Sequence, residues 1–510
     1  MTAGLGWSDR RAPAGSGDLT AALRSLRELG RFEEAAALVR GADPATMSPS
    51  LQAAAGAALI AVSEYGAAAV HLSLAALDVG LAPRALAGLA ELAWIEHDHD
   101  RGQAFALEGL AIDPSNHECR VQLQRNESAA QSARVGGPGR LAHAAVFADP
   151  QGNAGDRMLI DALRRCFRPD PGPASWHDVP VHQLFDERRL AGVNASEALI
   201  VGGGGLFVPD LAPNGHSGWQ WNVPDAMLRR IDVPLVVFAV GYAMFEGQQF
   251  SAPGGGRFRD SLRTLVETAD FVGLRNHGSV DRVRDLLPAA LAERVRWQPC
   301  PTTFGGSRRP PSTPSGADGA VLLNCAYDQA GPRFGDSYGR FLSQLRDWVR
   351  STARRAPVHY VAHCVDDEKF VVDLRREYGL TLPVIPLYDR TPEQIQDVYT
   401  AAALVVGMRG HAAMIPFGCG TPIISLISHP KLGFFLDDIE RPEWGVSIRD
   451  PRLAGRLTEL TDGLLDSYPD VVADIAAIQR RLRETTRQNA RSLPSVLHLD
   501  AAIGQDGTSE

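Results

Sequence analysis

VVGMRGHAAMIPFGCGTPIISLISHPK (405–431) holds one complete unit of a parallel α/β fold. The apolar run ALVVG, which begins just before it, predicts a buried strand, AAMIPFGCG a helix with a glycine stop, and TPIISLIS the next strand. Arg409, Gly410 and His411 then fall at the strand–helix junction. In doubly wound sheets that rim is where ligands bind. The first amides of the helix add a partial positive charge. Arginine, histidine and helix terminus together make an anion site with a proton donor built in. The next strand runs into SHPK, bringing His429 and Lys431 to the same rim.

The same alternation extends outward in both directions. AVLLNCAY, PVHYVAH and LPVIPLY precede this unit as further strands of a second domain, 320–490. Before them, LAHAAVFA, EALIVGGG, VPLVVFAVG and DFVGLR alternate with helix-like stretches in a first domain, 138–304. The Pro/Gly/Ser-rich stretch within 305–319 reads as a linker and 491–510 as a tail. The fold class is α/β: two Rossmann-type doubly wound domains with a cleft between them.

An α-helical domain, 18–130, precedes this body and follows a leader, 1–17, expected to be disordered. GRFEEAAALV, SEYGAAAVHL and HDRGQAFALEGLAIDP align at Ala35, Ala68 and Ala104, roughly 33–36 residues apart, a helix–turn–helix repeat period. The segment resembles a short tetratricopeptide-type array, with an ordinary Ala-rich bundle as the other reading. In either form it is a packing module, or a docking module for a protein partner.

Bulk properties exclude several classes. A net charge of −9 argues against nucleic acid held on a basic surface. RRLRETTRQNAR, near the C-terminus, mixes its arginines with acids and polar residues and reads as a solvated helix face. The six cysteines form no CxxC pair, so neither a metal site nor a disulfide framework is expected, and reduced thiols suit a cytoplasmic protein. No apolar run is long enough for a membrane span, and the N-terminus lacks a signal-peptide core.

Three stretches of the first domain carry further chemistry. GNAGDRMLIDAL (152–163) opens a helix after a strand, with Asn153 and Asp156 placed either to cap it or to contact a substrate hydroxyl. IVGGGGLF (200–207) sets Gly203 and Gly204 at a strand end, where bare backbone admits a ligand or simply turns. The spacing is not that of a dinucleotide fingerprint. GLRNHGS (273–279) ends a strand on Arg275, either an ordinary surface arginine or a guanidinium aimed into the cleft at a carboxylate or phosphate.

GNAGD, GGGGLF, GLRNHGS and GMRGHAAMIPFGCGTPIISLISHPK, in that order, resemble the polysaccharide pyruvyl transferase family over about residues 140–450. The resemblance implies a GT-B-like fold and transfer of the pyruvyl unit of phosphoenolpyruvate to sugar hydroxyls, with release of phosphate and no cofactor. By resemblance Arg275 and Arg409 bind the donor and His411 is the acid. Lys431 or His429 would steady the phosphate, and Asp156 is the candidate base or acceptor contact. The acceptor would be a sugar or oligosaccharide, free or lipid-linked. The chain departs from the family at Asn276, where an aspartate usually follows the arginine, and at Cys300, near a usual Asp-Pro. A glycosyltransferase of the same shape with a nucleotide-sugar donor stays open beside this reading, as does an inactive helical-repeat scaffold.

Overall fold

The computed structural model describes residues 19–132, 137–147, 152–208, 213–244, 252–304 and 319–499. The expected leader, nearly all of the linker and the end of the tail lie outside them. The first sheet contains β1 (Leu141–Ala145), β2 (Trp176–Pro180), β3 (Leu199–Gly202), β4 (Leu235–Val240), β5 (Phe271–Leu274) and β6 (Val295–Trp297). The second contains β7 (Val321–Asn324), β8 (Val358–Ala362), β9 (Val384–Pro386), β10 (Leu404–Gly407), β11 (Ile423–Ile427) and β12 (Gly445–Ser447). Every pairing between these strands is parallel.

The strand orders are β2-β1-β3-β4-β5-β6 and β12-β11-β10-β7-β8-β9. Winding therefore reverses between β1 and β3 in one sheet and between β7 and β10 in the other. Each reversal opens a crevice at the carboxyl ends of the strands. The central strands β3, β4, β7 and β10 are buried at every position. That burial explains their continuous Val/Leu/Ile runs, since helices cover both faces of a parallel sheet. β2, β6 and β12 escape a sequence reading because they are edge strands, short or carrying polar residues.

The helix Tyr468–Ala490 crosses from the second sheet back to the first. Its Asn489 donates to the Trp297 carbonyl (2.8 Å), Gln298 donates to its Thr486 Oγ1 (3.0 Å), and its Gln479 donates to the Phe417 carbonyl (2.6 Å). The arginine-rich stretch expected to be a solvated face thus buries Leu482, Thr486 and Asn489. One of its arginines joins this contact, Arg483 donating from Nη2 to the Phe304 carbonyl (2.8 Å).

The N-terminal region consists of helices throughout its regular structure, from Leu19–Glu28 to His117–Ser132. Buried small residues mark corresponding helices at Ala35 and Ala68, but in the third it is Gly102 that is buried and Ala104 that is exposed. The alignment at Ala104 is corrected accordingly: a Cβ at Gly102 would overlap the Asn126 side chain. The region packs on the first lobe through polar contacts. Leu184 donates to the Ile95 carbonyl (3.0 Å) and Asn222 to the Tyr65 hydroxyl (2.7 Å). A Cβ at Gly215 would overlap the Val62 carbonyl, so backbone meets backbone there.

Candidate active site

At the first crevice, Asn153 caps the helix Ala154–Phe167 by accepting from Gly155 N (3.0 Å). Its Nδ2 donates to Asp156 Oδ2 (3.1 Å), so the capping residue also fixes the carboxylate. Burial raises the Asp156 pKa, while Arg409, Lys431, Asn153 and Arg275 pull it down. One aspartate thus senses cations from both lobes. At Gly155 the lobes touch closely: a Cβ there would lie 2.7 Å from both Cβ and Nδ1 of His411. The Ala154 amide donates to the His363 carbonyl across the same junction (2.9 Å).

Arg275 leaves the end of β5 and is 7% exposed. A Cβ at Gly241 would overlap its Nε, and one at Gly205 would come within 3.6 Å of Nη2. Glycine is therefore needed so that backbone can lie against the guanidinium. Ala239, one residue before the end of β4, adopts φ 56° at a register shift against β5. Such a bulge re-aims a strand end at a cost that functional sites commonly bear. Arg275 Nε is buried without a hydrogen-bond partner. Burial lowers the Arg275 pKa, with Cys300 and Asp156 the groups opposing it. Burial raises the Cys300 thiol, so this neighbour carries no countercharge. Asn276 Oδ1 accepts from Ser279 N (2.7 Å), capping the next helix and leaving the arginine alone.

Gly203 and Gly204 both have positive φ, 82° and 96°, which explains the glycines after β3. Gly203 packs on Leu159, and the Gly204 carbonyl accepts from Gly241 N (2.8 Å). Gly205, not singled out in the sequence, is the member of this glycine run that lies beside Arg275.

The second crevice is organised around Arg409. Pairing of Gly407 with Asn324 sets β7 and β10 in register, and Asn324 Oδ1 accepts from the Arg409 amide (3.2 Å). Asp367 takes the side chain from Nε (2.8 Å) and Nη2 (2.6 Å). Asp328 lies 2.7 Å from Nη2, and Cys364 Sγ accepts from the same nitrogen (2.9 Å). Arg333 pairs with Asp328 in turn (3.2 Å). Burial opposes the Arg409 charge, but Asp367, Asp328 and Cys364 outweigh it and raise the pKa.

His411 begins the helix His411–Gly418 next to Gly410, with Nε2 buried and unpartnered. Burial, Arg275, His363, Lys431 and Arg409 all depress its pKa well below the usual histidine range, which favours the neutral imidazole. Lys431 is brought down to about 7 by burial, Arg275 and Arg333. His429 caps the helix Pro430–Asp438 by accepting from Lys431 N at Nδ1 (3.2 Å). Burial and the neighbouring Lys431 drop its pKa to about 2.

Asn153, Asp156, Arg275, Arg409, His411, His429 and Lys431 therefore gather where the two rims face each other. Sequence reasoning missed Asn324, Asp328, Arg333, Cys364 and Asp367. The one local signal was a polar Asn ending β7, the strand beside the winding reversal.

A family model described as polysaccharide pyruvyl transferase matches residues 153–430, more than half of the chain. No curated protein sequence gives a significant match. Among solved structures, a mutant O-GlcNAc transferase of Thermobaculum terrenum is 15% identical, with 94% of each chain covered and a TM-score of 0.37. A UDP-N-acetylglucosamine 2-epimerase of Listeria monocytogenes is 11% identical, covering 68% of this chain and 96% of its own, with a TM-score of 0.39. A variant of the wall teichoic acid polymerase TagF is 8% identical, covering 78% and 98%, with a TM-score of 0.37.

Proposed function

The chain belongs to the polysaccharide pyruvyl transferase family, and from that premise we propose that it transfers the pyruvyl unit of phosphoenolpyruvate to two hydroxyls of a sugar or oligosaccharide, forming a ketal and releasing phosphate. The observation that carries this reading is a pair of buried polar nitrogens without partners, Arg275 Nε and His411 Nε2, facing Lys431 between the rims. Unsatisfied buried donors are costly unless a ligand completes them. Phosphoenolpyruvate offers a carboxylate and a phosphate, enough to engage cations on both lobes and hold one orientation.

The acid is made by the substrate. Burial first, and then the surrounding cations, hold His411 well below the usual histidine range. A bound polyanion reverses that field and favours the imidazolium. Nε2–H then delivers its proton to C3 of the donor while an acceptor hydroxyl bonds to C2. Asp156 takes the hydroxyl proton, which its raised pKa favours. The C2–O bond to phosphate breaks next, and its electron pair leaves with phosphate, steadied by Lys431. A second hydroxyl attacks C2, loses its proton and closes the ketal.

No helix among the described residues is long and apolar enough to cross a membrane. We place the activity in the cytoplasm, in keeping with six unbridged cysteines, and assign the helical region, read as tetratricopeptide-like, to docking of a protein partner. Calorimetric titration with phosphoenolpyruvate, beside uridine diphosphate, tests the donor. Saturable binding of phosphoenolpyruvate that Arg275→Ala removes is the expected result. Binding of the nucleotide alone overturns it in favour of a nucleotide-sugar donor.

A further inference from the structure

A guanidinium presents two edges to a planar anion: a side edge, Nε with Nη2, and an end edge, Nη1 with Nη2. On Arg409 the side edge belongs to Asp367, which is fully buried and further held by His363 N (3.0 Å) and Asn324 Nδ2 (3.4 Å). The outer hydrogen of Nη2 goes to Cys364 Sγ (2.9 Å), while Asp328 Oδ1 faces the same nitrogen as an ion pair (2.7 Å) outside hydrogen-bond geometry. Nη1 has no protein partner among the described residues. The end edge is thus half filled, and a carboxylate or phosphate oxygen is the group that would complete it.

The two aspartates differ in freedom. The Asp367 side chain is 0% exposed and the Asp328 side chain 41%. Arg333 Nε anchors the Asp328 main-chain carbonyl (3.2 Å), and Gln329 follows in the left-handed region at φ 53°. Phe334, next to Arg333, is packed on Tyr338, Phe341 and Phe370. The loop is fixed, and the Asp328 side chain borders solvent with only Oδ2 held by a hydrogen bond, from Arg333 Nη2 (3.2 Å).

We propose that Asp328 is a specificity-determining residue of the donor site, a resident carboxylate that holds the end edge of Arg409 until an anionic group of the donor displaces it. The inference rests on the pyruvyl transfer reading for the identity of that donor. Exchanging one carboxylate for another on Arg409 gains little. A ligand profits from the exchange only when a second anionic group reaches Arg275 and Lys431 on the same visit. A dianionic donor meets that condition, and a lone anion does not.

Asp328→Asn keeps the shape and a hydrogen-bond acceptor for Arg333 but removes the competing charge. The expected result is tighter binding of phosphoenolpyruvate by about tenfold, the usual scale of a like-charge contact relieved at a partly solvated site. Asp328→Ser is expected to move affinity the same way. Asp367→Asn, which frees Arg409 from its anchor, is expected to move it the opposite way. Inorganic phosphate as a second probe separates the two ideas: each Asp328 variant binds it more tightly than the parent even if no protein here binds phosphoenolpyruvate. If neither Asp328 variant binds either probe more tightly than the parent, Asp328 is only a support for Arg409 and the proposal fails.

Discussion

Arg275 and Arg409 end comparable strands on opposite rims, yet they are set in opposite ways. Arg275 lies against bare glycine backbone, with Nε unpartnered and a neutral thiol beside it. Arg409 lies between Asp367 and Asp328. A buried guanidinium without a fixed countercharge is costly and calls for a ligand. One gripped on its side edge is held in a fixed plane before any ligand arrives. The first lobe thus supplies binding demand and the second supplies orientation.

The sharpest way to break this contrast is His411→Ala. His411 sits between the two arginines, with its pKa held well below the usual histidine range by burial and their charges. Loss of an acid typically costs about a hundred- to ten-thousandfold in turnover. Phosphoenolpyruvate binding should stay within a few fold. A variant that turns over normally removes His411 from the chemistry.

Arg275→Ala comes next, with donor affinity expected to fall by about a hundredfold, or ~3 kcal/mol. Arg409→Lys keeps the charge but loses the planar grip on Asp367, and should weaken binding by less. If Arg409→Lys proves the more damaging, the division of labour between the rims is wrong. Cys300→Asp sharpens the comparison from the other side, because it gives Arg275 a countercharge like those of Arg409. Donor binding should weaken by about three- to tenfold. Unchanged affinity would mean that the bare charge of Arg275 is not what draws the ligand.

How far these roles were legible depended on where the residues lie in the chain. Arg275, Arg409 and His411 could be read because each stands between an apolar strand and a helix, and that junction has a known position in a parallel sheet. Asn153 was legible as a cap for the same reason. Asp328 and Asp367 could not be read. They lie in the loops after β7 and β8, and they reach Arg409 only because the sheet order sets β10 beside β7. Strand order is a long-range property that no local pattern encodes. Gly241 was hidden differently, since its role appears only once Arg275 is known to lie on it.

Lys431 offers a gentler test by pH. Its free amine titrates at about 7, through burial and the nearby Arg275 and Arg333. A bound anion favours the ammonium and raises that value. Phosphoenolpyruvate affinity should therefore be flat below about 7 as far as Lys431 is concerned, and should fall as pH rises from there to the value in the complex. Lys431→Ala should flatten this slope and bind more weakly at low pH. A parent profile that stays flat through neutrality would mean that the ammonium takes no part in holding the donor.

The smallest expected effect lies at the contact that keeps the rims facing. His277, from the first lobe, pairs with Asp438 of the second (2.8 Å) and stacks on Trp297 at 4.3 Å between centroids. Gly278 beside it leaves room for the Phe434 ring. The hydrogen bond to Asp438 raises the His277 pKa against the cost of burial. A histidine raised on folding contributes stability that is complete below its unfolded value and fades as pH climbs through the folded one. The imidazole is largely exposed, so screening keeps the contribution at the level of a surface pair. The melting temperature of the parent should exceed that of His277→Ala slightly at mildly acidic pH, and the gap should close toward alkaline pH. A gap that stays constant with pH would place the stabilisation in the ring's packing on Trp297, and the rims would then be aligned by shape alone, with the charge of the pair contributing nothing.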